Sequence, residues 1–127
     1  MRINKLNYVS QAEKVIKSLL QSNAQGKTCL RLTTSKIRNI LSMVSELYND
    51  AIHNKDNLLS VDMQSRVQYL RMRVAYEAGR EREVKDFVTK AQLLELIAEI
   101  GKEKENLILF CNYMEALVAY HCFYGGN

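Results

Sequence analysis

Met63, Val67, Leu70, Val74 and Ala78 recur at the spacing of a helix face, and no proline anywhere in the chain interrupts such spacing. At about 100° per residue the five side chains make a continuous apolar stripe, the signature of an amphipathic helix and not of a strand. The absence of Trp, the low count of five Gly and the abundance of Leu, Ala, Glu, Lys and Arg extend that preference to the rest of the 127 residues. A chain of this length buries one core, so we expect a single domain over 1–127. The fold class that follows is all-α, a compact bundle of about five or six helices.

The other segments fit that class. Val9, Ala12, Val15, Ile16, Leu19 and Leu20 give the inner face of a first helix from Tyr8 to Ser22, with Asn7 as its N-cap. The polar stretch NAQGKTCLRL follows, carrying Gly26, Lys27 and Arg31, and its length allows a mobile or a ligand-ordered segment. Thr33, Thr34 and Ser35 are cap-forming residues ahead of Ile37, Ile40, Leu41, Val44, Leu47, Tyr48 and Ala51, which mark a second helix. His53 to Leu59 reads as a polar connection. Val84, Phe87, Val88, Ala91, Leu94 and Ala98 line one face of a further helix. From Leu93 that helix turns apolar nearly all round, with Leu96, Ile97 and Ile100 on its other side, until Gly101 and KEKE end it. The last helix, Asn106 to Phe123, sends Leu107, Phe110, Cys111, Met114, Leu117, Val118 and His121 inward and is also apolar beyond one face. Helices of that kind sit centrally or at an interface with neighbours.

Charge is unevenly spread. The net charge is +4, but residues 1–45 hold eight Lys or Arg against the single acid Glu13. Residues 66–90 hold seven basic against four acidic groups, and residues 91–127 are net −3. A polyanion on one side of the molecule is the partner such an imbalance fits.

Beside the apolar stripe of the central helix, Arg66, Tyr69, Arg73, Tyr76 and Arg80 fall within about 80° of one another. Guanidinium forks match phosphate oxygens, and phenols stack on bases or bond to sugars. Against this stands a plainer alternative, tyrosines packed on a neighbouring helix and arginines in solvent. Gly79 leaves two options: it closes the helix as a left-handed residue, putting Arg80 in a turn, or it lies inside one very long helix. At the second helix's first turn, Lys36 and Arg38 oppose the macrodipole. A phosphate against the free N–H groups there would offset this; otherwise the two are screened surface cations.

Catalytic patterns are missing. Neither His53 nor His121 stands in a Glu-x-x-His pair, and no CxxC, HExxH, P-loop or GxSxG occurs, so no enzyme, metal or cofactor is expected. His121 reads as a hydrogen-bonded core or interface residue. Cys29, Cys111 and Cys122 are odd in number and unrelated in spacing, which fits reduced thiols. With no apolar leader and no spanning segment, the expected location is the cytoplasm, away from membranes.

Three blocks, LTTSKIRNILSMVSELY, YLRMRVAYEAGREREVKDFVTKAQLLELI and FCNYMEALVAYHCFYGG, together closely resemble the small helical subunit of the type III-A CRISPR-Cas effector, the Csm complex. The resemblance implies a noncatalytic subunit of an antiviral, RNA-guided complex, present in several copies as a short inner filament. Such subunits lie beside the backbone subunits, meet the large subunit at one end, and line the channel where guide RNA pairs with target RNA. Pairing reads the sequence there, so contacts should go to sugar and phosphate. Matched to the family blocks, Lys36 and Arg38 occupy the basic helix start, and Arg71 and Arg80 the second basic region. Arg66, Arg73, Arg82 and Lys85 join them by helical phase and charge; Arg71, at the edge of the apolar stripe, has a structural ion pair as its alternative. No role is carried over to Lys14, Lys17 or Lys27. Two rival readings are a helical DNA-binding regulator and a structural adaptor whose cations serve acidic proteins.

Overall fold

A computed structural model describes residues 1–22 and 28–125. Among them are six helices: α1 (Tyr8–Leu19), α2 (Thr34–Ile52), α3 (Val61–Arg80), α4 (Arg82–Ala91), α5 (Leu93–Ile100) and α6 (Lys104–Phe123). Two short strands, β1 (Gln21–Ser22) and β2 (Thr28–Cys29), pair antiparallel; β1 replaces the end expected of the first helix, and β2 lies in the expected polar loop. Gly26 and Lys27 lie outside the described residues.

The expected all-α bundle is what forms. Helix α6 is its axis, packing on α1, α2 and α5, while α3 packs on α4, α5 and α2. Leu107, Phe110, Met114 and Leu117 of α6 are all fully buried, with Leu93, Ile97 and Ile100 of α5 beside them. The all-round apolar character of these two segments is therefore consumed inside the chain. Large apolar side chains on the surface include Leu6 and Val61, outside these two helices, and Phe123 at the very end of α6.

Local chemistry sets the helix ends. Thr33 Oγ1 accepts the Lys36 N–H, and Ser60 Oγ accepts the Met63 N–H at 3.1 Å, which satisfies first-turn donors of α2 and α3. Asn7 precedes α1 as expected but makes no cap bond. Its Oδ1 accepts from the Asn4 N–H instead, while Asn4 Oδ1 accepts from Leu6 and Asn7, so the Asn4 side chain organises the entry turn. Helix α1 stops at Leu19, short of Ser22, and Val9 is turned out to solvent.

The expected single helix from Val84 to Gly101 is broken at Gln92, whose φ of 58° and ψ of 39° are left-handed. A side-chain-bearing residue there costs about 1–2 kcal/mol. The break rotates the following turn so that Leu93 and Ile97 are buried while Ala98 faces solvent. Burying two large aliphatic side chains contributes about 1.5–3 kcal/mol each, which outweighs the strain. Tyr113 Oη also donates to the Ala91 carbonyl at 3.0 Å, claiming one of the acceptors that the α4 terminus leaves open. Gly79 follows neither of the two options: it lies within α3, and the chain breaks at Glu81, extended at φ −140° and ψ 132°. Arg80 thus stays on the helix.

The ends are tied down. Arg2 Nε donates to Glu99 at 2.8 Å, and Tyr124 Oη donates to Glu13 at 2.7 Å. His121, 1% exposed, faces the Leu32 carbonyl at 2.6 Å. A carbonyl only accepts, so Nε2 carries the proton.

Candidate nucleic-acid interface

Leu32, held by His121 and 3% exposed, fixes the approach to α2. Two residues after it begins the capped turn that carries Lys36 and Arg38. Lys36 leans toward the α3–α4 corner, where its ammonium pairs with Glu81 and sits 3.9 Å from Glu83. Arg38 is about 160° further round the helix and exposed, with no ion pair to the described residues. The fold therefore separates the two cations that the sequence placed side by side.

Along α3 the ladder does form. Arg66 reaches back to Asp50 of α2, with Met63 Sδ 3.4 Å from the same nitrogen. Arg73 and Arg80 both approach Glu77 Oε1, at 3.6 and 3.8 Å. Each of their guanidinium carbons also lies 5.5 Å from the centre of the Tyr76 ring. Tyr69 and Tyr76 are more than half exposed, which answers the alternative that they pack on a neighbouring helix of the chain. Between α2 and α3 a groove of about 340 Å³ is lined by Met43, Leu47 and Leu70, with Arg66, Tyr69 and Arg73 along it and the acid Glu46 among them. An aromatic wall flanked by guanidiniums can take a planar base and an anion together.

At the corner, Arg82 of α4 shares a small cavity with Arg31. Arg31 belongs to the polar stretch ahead of α2 and joins the site only through the fold. The only signal for it was charge; a separation of fifty-one positions hides its nearness to Arg82. Lys85 stands one turn on, exposed on the outer side of α4. Arg71, also exposed, is about 140° round α3 from Arg66 on the far flank of the buried stripe, so it does not join the ladder. It makes no ion pair with the described residues, nor do Arg82 and Lys85. The acids Asp50, Glu77, Glu81 and Glu83 are partners that the sequence pattern of cations does not reveal. The pairs of Glu77 at i−4 and i+3 were readable from spacing; those of Lys36 and Arg66 with other helices were not.

Other chemistry is sparse. Burial pushes the Cys111 thiol up to about 12 and the Tyr113 phenol likewise to about 12, so both stay neutral. Cys29, Cys111 and Cys122 are free thiols. Among the described residues no group of three His, Cys, Asp or Glu could hold a metal ion, and no helix is long and apolar enough to cross a membrane.

Comparison with known proteins identifies the family. The family model described as Csm2 Type III-A matches residues 8–127. A protein of Streptococcus thermophilus named CRISPR system Cms protein Csm2 is 50% identical over 121 residues, 95% of this chain and 93% of the relative. A protein of the same name from Mycobacterium tuberculosis strain H37Rv is 42% identical over 114 residues, covering 90% and 88%. One from Enterococcus italicus is 39% identical over 95 residues, covering 73% and 68%. With the family model spanning nearly the whole chain and half the positions shared with a relative of matching length, the chain belongs to the Csm2 family, the small subunit of the type III-A CRISPR Csm complex.

Proposed function

We propose that this noncatalytic subunit lies in several copies along a cytoplasmic type III-A interference complex and holds the guide RNA–target RNA duplex by its phosphates. The observation that carries the reading is the run of Arg66, Arg73 and Arg80 on one face of α3, interleaved with exposed Tyr69 and Tyr76 and ending at the corner with Arg82 and Arg31. Arg38, Arg71 and Lys85 extend the basic surface, while Lys36 supports the corner through Glu81. Neighbouring copies, the backbone subunits and the large subunit are its protein partners. Base pairing supplies sequence selectivity, so these cations contribute through charge and counterion release.

The experiment purifies the tagged chain from its native host in mild salt with and without ribonuclease, then compares wild type with Arg80→Gln for duplex binding. Discrete short guide RNA should accompany it together with large and repeated subunits. Arg80→Gln should weaken binding to every duplex sequence alike, and the plot of log affinity against log salt should flatten by about one unit. An RNA-free protein that binds one DNA duplex sequence, or an Arg80 variant that changes preference among RNA sequences, would overturn the reading in favour of base readout.

A further inference from the structure

Of the cations on the α3 face, those nearest one another converge on an internal anion. Arg73 and Arg80 approach the same oxygen, Glu77 Oε1, from opposite sides along the helix. The Glu77 side chain is only 15% exposed, whereas those of Arg73 and Arg80 are 38% and 55% exposed. Both guanidiniums also lie 5.5 Å from the centre of the Tyr76 ring, within reach of its π face. A largely buried carboxylate between two more exposed cations occupies the position of a bound anion.

The separations matter. At 3.6 and 3.8 Å the contacts are longer than the 2.7–2.9 Å of a tight charge-assisted hydrogen bond. Exposed pairs of this kind stabilise a protein little, so their main consequence is electrostatic. Two positive charges and one negative leave the cluster with a net +1, half the pull on a phosphate that two free arginines would exert.

We infer that Glu77 is a built-in competitor for RNA phosphate, a counter-anion that Arg73 and Arg80 must share or release when the duplex binds. The inference rests on the phosphate-binding reading above and adds a residue of opposite sign to it. Glu77 holds the two guanidiniums together over Tyr76 while lowering their affinity for polyanions, so the subunit grips RNA weakly on its own. Glu81 and Asp50 hold Lys36 and Arg66 in the same sense, but each faces one cation of the ladder or corner.

The test measures binding of the full chain to a guide–target RNA duplex across a salt series, for wild type, Glu77→Gln, Glu77→Ala and Glu115→Gln. Glu115 lies in the groove between α1 and α6, away from α3, and its substitution reports the general effect of one lost negative charge. Both Glu77 variants should bind on the order of fivefold more tightly than the Glu115 variant, with a steeper salt dependence. Arg80→Gln should also cost more affinity in the Glu77→Gln background than in wild type, because its guanidinium is then unshared. Circular dichroism confirms folding, and the alanine variant serves if the glutamine variant does not fold. Equal or weaker binding by the Glu77 variants than by Glu115→Gln would overturn the competitor role while leaving the RNA reading intact. Absence of binding by every protein, at the lowest salt, would overturn the RNA reading and this inference with it.

Discussion

Cys111 and Tyr113 are two residues apart on α6, and both are acids that the fold keeps neutral. Desolvation is the cause in each case: the thiol ordinarily titrates at 9.0 and the phenol at 10.0, and both are raised to about 12. A folded-state value above the unfolded one means that the unfolded chain loses its proton first. Stability is then fully present below the unfolded values and is lost as pH rises through the folded values. The unfolding free energy from urea titrations should accordingly fall from about pH 9 toward pH 12, by up to about 1.4 kcal/mol per pH unit for each group. Cys111→Ala should be less stable at neutral pH yet lose less between pH 9 and 10, where the thiol alone contributes; a slope unchanged by this substitution would contradict the assignment. His121 is the other buried polar side chain named among the core, and its role as a hydrogen-bonded residue was legible from an apolar neighbourhood. Its partner, the Leu32 carbonyl, was not, because eighty-nine positions separate them.

At the scale of elements, what sequence alone revealed depended on how long the periodic pattern ran. Helices α2 and α3 carry unbroken stripes; α2 begins within the Thr33–Ser35 cluster that marks a cap in the sequence, while α3 begins after its cap Ser60, which its stripe alone does not mark. The α4–α5 break escaped notice because glutamine is not a residue whose presence announces a left-handed turn. What selects the break is tertiary: α5 must rotate to bury Leu93 and Ile97 against α6, and no local preference encodes that. Gly79 left two options open, and the outcome lies between them: α3 runs through the glycine but ends one residue later at Arg80, with Glu81 and not a left-handed glycine making the break. The left-handed geometry yields a test at position 92. Gln92→Gly should stabilise the fold by about 0.5–1 kcal/mol, even with loss of the exposed hydrogen bond from Arg2, whereas Gln92→Val should destabilise it by about 1 kcal/mol or more. Thermal or urea unfolding measures both; destabilisation by glycine would mean that the chain passes position 92 as continuous helix.

The whole molecule depends on α6 more than its basic face suggests. The site's cations come from α2, α3, α4 and the approach to α2, which meet only through long-range packing, so the sequence disclosed its components but not that Lys36 faces Glu81 or that Arg31 neighbours Arg82. Helix α6 touches α1, α2 and α5, and α5 in turn supports the back of α3. Chain ends are fastened across this core by Arg2 to Glu99 and by Tyr124 to Glu13. Such an arrangement leaves no part with an independent core, and we propose that all six helices unfold as one cooperative unit. Leu117→Ala removes a fully buried side chain where α6 packs, and should cost about 2–5 kcal/mol. Its effect should appear equally in helix content and in hydrogen exchange of α2, α3 and α5, although Leu117 lies in none of them. If α3 and α4 kept their protection while α1 and α6 lost theirs, the bundle would be two units, and the basic face would stand on a smaller one. A single coincident transition would instead tie duplex binding to the packing of a helix that carries none of the proposed RNA contacts.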